Sequence, residues 1–120
     1  MPPTNVIFFV ENDASCPLLD WLDTILGKAR DKCIMRVERL SALGHELRWP
    51  EADYLRDDVY EWRVRLRRVN YRMLYFFHES SAVISHGLTK EDVVPGKEID
   101  LAVARRCRFI KSPEKHTYEE

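Results

Sequence analysis

The stretch from Val59 to Arg67 constrains this chain more than any other. Tyr60, Trp62, Val64 and Leu66 alternate strictly with Glu61, Arg63, Arg65 and Arg67. A period of two places successive side chains on opposite faces of an extended backbone, whereas a helix would scatter the same residues around its circumference. A half-buried strand is therefore predicted, apolar on one face and charged on the other. Arg68 to Asn70 reads as a short turn, and Tyr71 to Phe77 (YRMLYFF) as a second strand rich in aromatics. Glu79 to Ser81 turns into a third strand, Ala82 to Leu88, which completes an antiparallel meander.

The rest of the chain supplies helices and one more strand. Asn5 to Val10 (NVIFFV), ended by Glu-Asn-Asp, reads as a buried strand running into a turn. Ser15 precedes Pro17, and Leu18, Leu22, Ile25 and Leu26 share a helical face that stops at Gly27. Ala29, Cys33, Val37 and Leu40 form the apolar stripe of a second helix, Lys28 to Leu43, closed by Gly44. His45 to Asp58, polar and broken by Pro50, reads as a loop. Pro95 opens a last helix with Ile99, Val103 and Ile110 on one face, and residues 112–120 read as a frayed tail. The predicted order is β-α-α-β-β-β-α, an α+β fold in which the helices pack against one face of a curved sheet.

With 120 residues the chain suits a single domain, and no repeat or linker divides it. Cys16, Cys33 and Cys107 are odd in number and lack C-x-x-C spacing, which argues against a disulfide framework or a zinc knuckle and for reduced thiols. No metal site and no cofactor is expected. The N-terminus lacks the basic and apolar regions of a secretion signal and no run is long enough to span a membrane, so cytoplasmic residence without membrane contact is expected. Nineteen basic residues nearly balance twenty acidic ones, yet residues 59–72 hold five basic and one acidic side chain, while residues 1–58 hold seven and eleven. A local field of this kind steers polyanions whatever the net charge.

P-loop, G-x-S-x-G, H-E-x-x-H and Gly-rich dinucleotide motifs are all missing from the sequence, which leaves the cationic hairpin as the place for chemistry. Arg63, Arg65 and Arg67 stand ~7 Å apart along one strand face, and guanidinium forks bind phosphate bidentately. Edge strands also carry charge simply to prevent aggregation, and Glu61 is at hand as an ion-pair partner. Arg72 alternates with Leu74 and Phe76, and a charge in that company needs either a ligand or a buried partner. His86, Thr89 and Lys90 cluster where the last strand ends, and His86 reads equally as an acid/base group or as a packed histidine. Arg68 and Tyr71 flank the turn. Tyr71 is a candidate for base stacking, although Tyr60, Trp62, Tyr71 and Tyr75 at these positions more often pack a core. His45, His78 and His116 read as surface residues.

Taken together, the segments DVYEWRVR (Asp58 to Arg65), NYRMLYFF (Asn70 to Phe77) and SHGLTK (Ser85 to Lys90) resemble the HigB-like toxins of the RelE/ParE superfamily. PLLDWL (Pro17 to Leu22) and PGKEIDLA (Pro95 to Ala102) resemble the same family, including its phage-derived host-killing branch. The resemblance spans residues 5 to about 110. It implies a RelE-like microdomain that cleaves mRNA, often on the ribosome, and is silenced by a cognate antitoxin, commonly a helix-turn-helix protein. Carried over by position, the family's cationic strand residues fall on Arg63 and Arg65, its Y-R arginine on Arg72, its histidine on His86 and its terminal basic residue on Lys90. Arg63, Arg72, His86 and Lys90 are the candidate catalytic residues, and Arg65, Arg67, Arg68 and Tyr71 the candidate RNA-binding ones. The chain departs from the family at Glu91, where a second basic residue is usual.

The chemistry that suits such a set is metal-independent transesterification, in which the ribose 2′-OH attacks its own phosphate and arginines stabilise the phosphorane. Two other functions suit the same fold. One is a ParE-like poison of DNA gyrase that acts by binding. The other is a weakened toxin retained as a binding module, the direction in which Glu91 points.

Overall fold

A computed structural model describes residues 5–25, 27–43, 52–89 and 93–118. In chain order the elements are β1 (Asn5–Phe8), α1 (Pro17–Leu22), α2 (Gly27–Leu43), β2 (Ala52–Arg56), β3 (Val59–Leu66), β4 (Val69–His78), β5 (Ser81–Thr89) and α3 (Gly96–Lys111), followed by a 3₁₀ turn, Pro113–Lys115. The strands form one sheet ordered β1-β5-β4-β3-β2, with β1 parallel to β5 and the other pairs antiparallel.

The predicted alternation in β3 sorts the whole sheet into two faces. Trp62 and Val64 lie with Met73, Tyr75, Ala82 and Ile84 beneath α1 and α2, where Leu18, Leu22, Ala29 and Cys33 complete the main core. On the opposite face Val59, Leu74 and Leu88 meet Ala102, while Phe76 and Val83 meet Phe109. Helix α3 thus packs on part of the second face, and the expectation that all helices pack on one face is corrected. Ile99 and Val103 of its predicted stripe pack there, whereas Ile110 is exposed and Phe109 is buried in its stead; periodicity reports only that a helix has a buried side, not which surface it meets.

Three other expectations change. The segment read as a loop contains β2, which pairs antiparallel with β3 through Ala52↔Trp62, Asp53↔Glu61 and Tyr54↔Tyr60. The β3–β4 turn is Arg67-Arg68 rather than Arg68 to Asn70, and β4 begins at Val69. Residues 112–118 are docked rather than frayed: Thr117 bridges Phe9, and His116 is buried, stacked on Phe9 with Nδ1 2.7 Å from the Val10 carbonyl oxygen. Gly44 and His45 lie outside the described residues. Cys16 and Cys33 are buried thiols and Cys107 an exposed one.

A bulge in β5 settles what faces where. Tyr75 pairs with Ile84 but Leu74 pairs with His86, so Ser85 is the extra residue. The shift turns His86 toward α3 and sets Gly87 opposite Met73 on the α1 face. There a Cβ on Gly87 would come within 2.0 Å of the Trp21 ring. Gly87→Ala must push Trp21 out of its place over β5, and overpacking of this kind costs about 1–3 kcal/mol. A thermal melt should show a clear loss of stability, and an unchanged melting temperature would contradict the contact.

Candidate functional site

Helix α3 crosses the second sheet face at one end only. Its first residues stand over β2, where Arg56 bonds the Gly96 carbonyl and Asp100, and its last turn reaches Phe9 and Phe76 near β1. The half of that face nearer the β3–β4 turn is left open, and there lies a groove of about 410 Å³. Among the described residues it is lined by Asp53, Leu55, Glu61, Arg63, Asn70, Arg72, Val93 and Val94.

The register of β3 and β4 builds the floor of this groove. Arg63 stands directly opposite Arg72, and Arg65 opposite Asn70. Glu61, opposite Leu74, is therefore the diagonal neighbour of Arg72 on the same face. Arg72 Nη1 donates to both Glu61 oxygens, at 2.9 and 3.0 Å, and both side chains are buried, 6% and 4% exposed. Arg63, 32% exposed, brings Nε within 3.6 Å of Glu61 Oε1. Two guanidiniums thus share one carboxylate, which offsets the repulsion that like charges in direct register would feel. Of the two readings open for Arg72, the buried partner is present, and its name is Glu61. Sequence reasoning assigned Glu61 no site role, although its place on the Arg63 face of the alternation was the available signal.

The other expected site residues disperse. Arg65, Arg67 and Arg68 are exposed, toward and at the hairpin tip, and none forms an ion pair among the described residues. Tyr71 is buried on the face opposite the groove, its ring 6.4 Å from that of Trp21. The reason is strand parity, since Tyr71 and Arg72 must point to opposite faces. Lys90 and Glu91 lie outside the described residues.

His86 lies outside the groove lining, enclosed by the bulge and α3. Its Nε2 lies 3.0 Å from Glu98 Oε1 and its Nδ1 2.8 Å from Ser85 Oγ. The carboxylate can only accept, so Nε2 carries the proton and Nδ1 accepts from the Ser85 hydroxyl. Arg105 Nη1 in turn reaches the Ser85 carbonyl oxygen and Oγ, and its Nη2 lies 3.5 Å from Glu11, which also pairs with Arg108 at 2.9 Å. Ser85 is fully buried and His86 nearly so, and the Ser-His-Glu chain forms a polar seam between α3 and β5. Burial holds the His86 imidazole below its usual titration range, the Arg105 guanidinium adds to this, and Glu98 offsets it in part. Arg105 went unnoticed in the sequence because three arginines near the end of a helix read as a solvated face.

The two buried ionic groups carry separate tests. Glu61→Gln leaves Arg72 without its carboxylate in a buried site, which costs about 3–5 kcal/mol in such pairs. The double variant Glu61→Met/Arg72→Leu should regain most of that loss in urea unfolding; a Glu61→Gln protein as stable as its parent would refute the pairing. For His86 the folded pKa lies below the ordinary 6.5, so the unfolded chain takes up a proton first as the pH falls. Stability is full above 6.5 and is lost as the pH drops from there toward the folded value. Urea midpoints at about pH 7.5 and about pH 5.5 should therefore differ less in His86→Gln than in the parent.

Among the described residues no helix is long and apolar enough to cross a membrane, and no group of three metal-binding side chains occurs. No curated protein matches the chain. The family model described as phage derived protein Gp49-like matches residues 20–106, a span that runs from α1 into α3 and includes the groove, the hairpin tip and His86. The chain belongs to the family of phage-derived Gp49-like proteins, which falls in the RelE/HigB-type toxin group.

Proposed function

We propose that this protein is the HigB-like toxin of a type II toxin–antitoxin pair and that it cleaves mRNA at the groove between β3, β4 and α3. The observation that carries this reading is the pair Arg63 and Arg72, in direct register across β3 and β4 and opening toward exposed Arg65. Two guanidiniums in direct register suit the oxygens of one phosphodiester, and membership of the Gp49-like family, in the RelE/HigB-type toxin group, supports the toxin reading.

In the proposed step the 2′-oxygen gives up its proton and attacks the adjacent phosphorus, the bond from phosphorus to the 5′-oxygen breaks as that oxygen takes a proton from water, and a 2′,3′-cyclic phosphate and a 5′-hydroxyl remain. Arg63 meets the charge that grows on the phosphorane, and Arg72, fixed by Glu61, supports it from the floor. Arg65 holds the neighbouring backbone. Asp53, the exposed carboxylate of the same groove, is our candidate for accepting the 2′-OH proton, a task that enclosed His86 does not suit. The mRNA, the ribosome that carries it and an antitoxin encoded beside the toxin are the partners this reading requires.

Arg63→Ala keeps the Glu61–Arg72 pair and should leave the fold intact. Its cleavage of mRNA should fall by roughly 10²–10³-fold, the usual effect of removing one preorganised donor. Induction in cells followed by mapping of transcript ends reads the activity. Transcripts cut at the parental rate would remove Arg63 from the mechanism, and gyrase-linked DNA breaks without cut transcripts would replace the nuclease by the ParE-like poison.

A further inference from the structure

Two hairpin turns of this sheet have the same backbone and opposite chemistry. Asp57-Asp58 joins β2 to β3, Arg67-Arg68 joins β3 to β4, and in both pairs the two residues have positive φ, 51° and 66° in the first, 56° and 84° in the second. Two-residue turns with this signature follow the twist of the strands but select Asn, Asp and Gly, which tolerate the left-handed region. The aspartates suit it and are tied down: Asp57 pairs with Arg56, and Asp58 with Arg106 of α3. The arginines do not suit it, are exposed, and have no ion-pair partner among the described residues. Among the described residues no carboxylate repays the use of two long cationic side chains where Asn-Gly would be relaxed. Conformations of this kind persist where a ligand uses them.

We infer that the Arg67-Arg68 turn is a second contact to the RNA backbone, distinct from the groove, and that it sets the length of RNA the protein holds. The inference rests on the proposal that the groove binds RNA. From Arg63 to the turn is four residues, about 13 Å by the strand rise, or roughly two phosphodiester repeats. An RNA whose scissile phosphate lies at Arg63 passes Arg65 and reaches the tip only if it extends that far beyond the cut. Short RNAs therefore gain nothing from the turn, whereas longer ones are clamped at both ends of the hairpin. The contact serves binding and leaves the chemical step alone.

The variant Arg67→Asn/Arg68→Gly puts the preferred residues into the turn. Its melting temperature should rise, while its binding of labelled single-stranded oligoribonucleotides, read by fluorescence anisotropy, should lose the gain in affinity that the parent shows as the RNA is lengthened. The slope of log Kd against log salt should fall by about 1.4, the value for two phosphates on a single strand at ~0.7 each. Arg67→Lys/Arg68→Lys should keep most of the parental slope. Lys111→Ala/Lys115→Ala removes the same charge at the far end of the molecule and should keep it fully. A parental slope in the Asn-Gly variant, an equal fall in the Lys111/Lys115 variant, or a parent that does not bind RNA would each overturn the inference. Loss of antitoxin binding with RNA binding intact would overturn it as well and assign the turn to a protein partner. A parent that binds RNA with the stated length dependence but never cuts it would refute the nuclease and leave the clamp standing.

Discussion

Burying Glu61 and Arg72 together on the sheet face that α3 only half covers governs the arrangement around the groove. Either charge alone would be costly there, because the interior does not replace lost hydration, and their attraction repays the cost only when the geometry is close. Both Glu61 oxygens accept from one nitrogen of Arg72, so the geometry is close. The diagonal between Glu61 and Arg72 exists only in the present register, and a slip of one residue would put the two on opposite faces, one of them unpaired in the aromatic core beneath α1 and α2. The pair therefore fixes β3 on β4, and with it the position of Arg63. Replacing the pair by apolar residues could preserve the fold while removing the floor of the groove, so stability and function depend on the same contact in different ways.

The second constraint is the extra residue in β5. In a regular ladder continuing from Tyr75↔Ile84, His86 would fall opposite Met73, in the core under α1. The bulge at Ser85 instead sends His86 to α3, where Glu98 and Arg105 are positioned by the helical repeat. The same shift brings Gly87 under Trp21, where there is no room for a side chain. One inserted residue thus links the seating of α1 on one face to that of α3 on the other. It also explains why a histidine near a cationic strand end is not part of the groove.

How much of this was legible follows the range of the interactions concerned. The meander and the helices were readable because alternation and the helical repeat are local properties of β3 to β5, α2 and α3. Strand β2 was not, since Asp53 and Tyr54 are exposed at a sheet edge and ADYLR carries little alternation of its own. The docked C-terminal segment was missed because His116 looks polar in sequence and is buried only by its contact with Phe9 and Val10. For the site, the residue types were visible but the faces were not fully followed. Parity alone separates Tyr71 from Arg72, and had it been applied, Tyr71 would have gone to the core. The destination of His86 could not be reached by parity, because a bulge resets the count and leaves no composition signal. Arg72 posed the right alternatives, and its partner stood on the neighbouring strand, where only the register identifies it.

The charges on the hairpin are graded rather than uniform. Within the groove Asp53 and Glu61 balance Arg63 and Arg72, while Arg65, Arg67 and Arg68 lie toward the tip without an ion-pair partner among the described residues. A polyanion approaching from solvent is drawn first to the tip, where the field is least screened by carboxylates, and only then along the strand to the groove. In the groove the same carboxylates disfavour simple trapping of phosphate, because a ground-state anion meets repulsion as well as attraction. An arrangement that attracts strongly outside and weakly inside suits a surface that must hold a long chain yet release a short product. For the proposed RNA binding it requires that most of the salt dependence arise at the tip, where charges are exposed, and little of it at the floor, where the ions already neutralise one another.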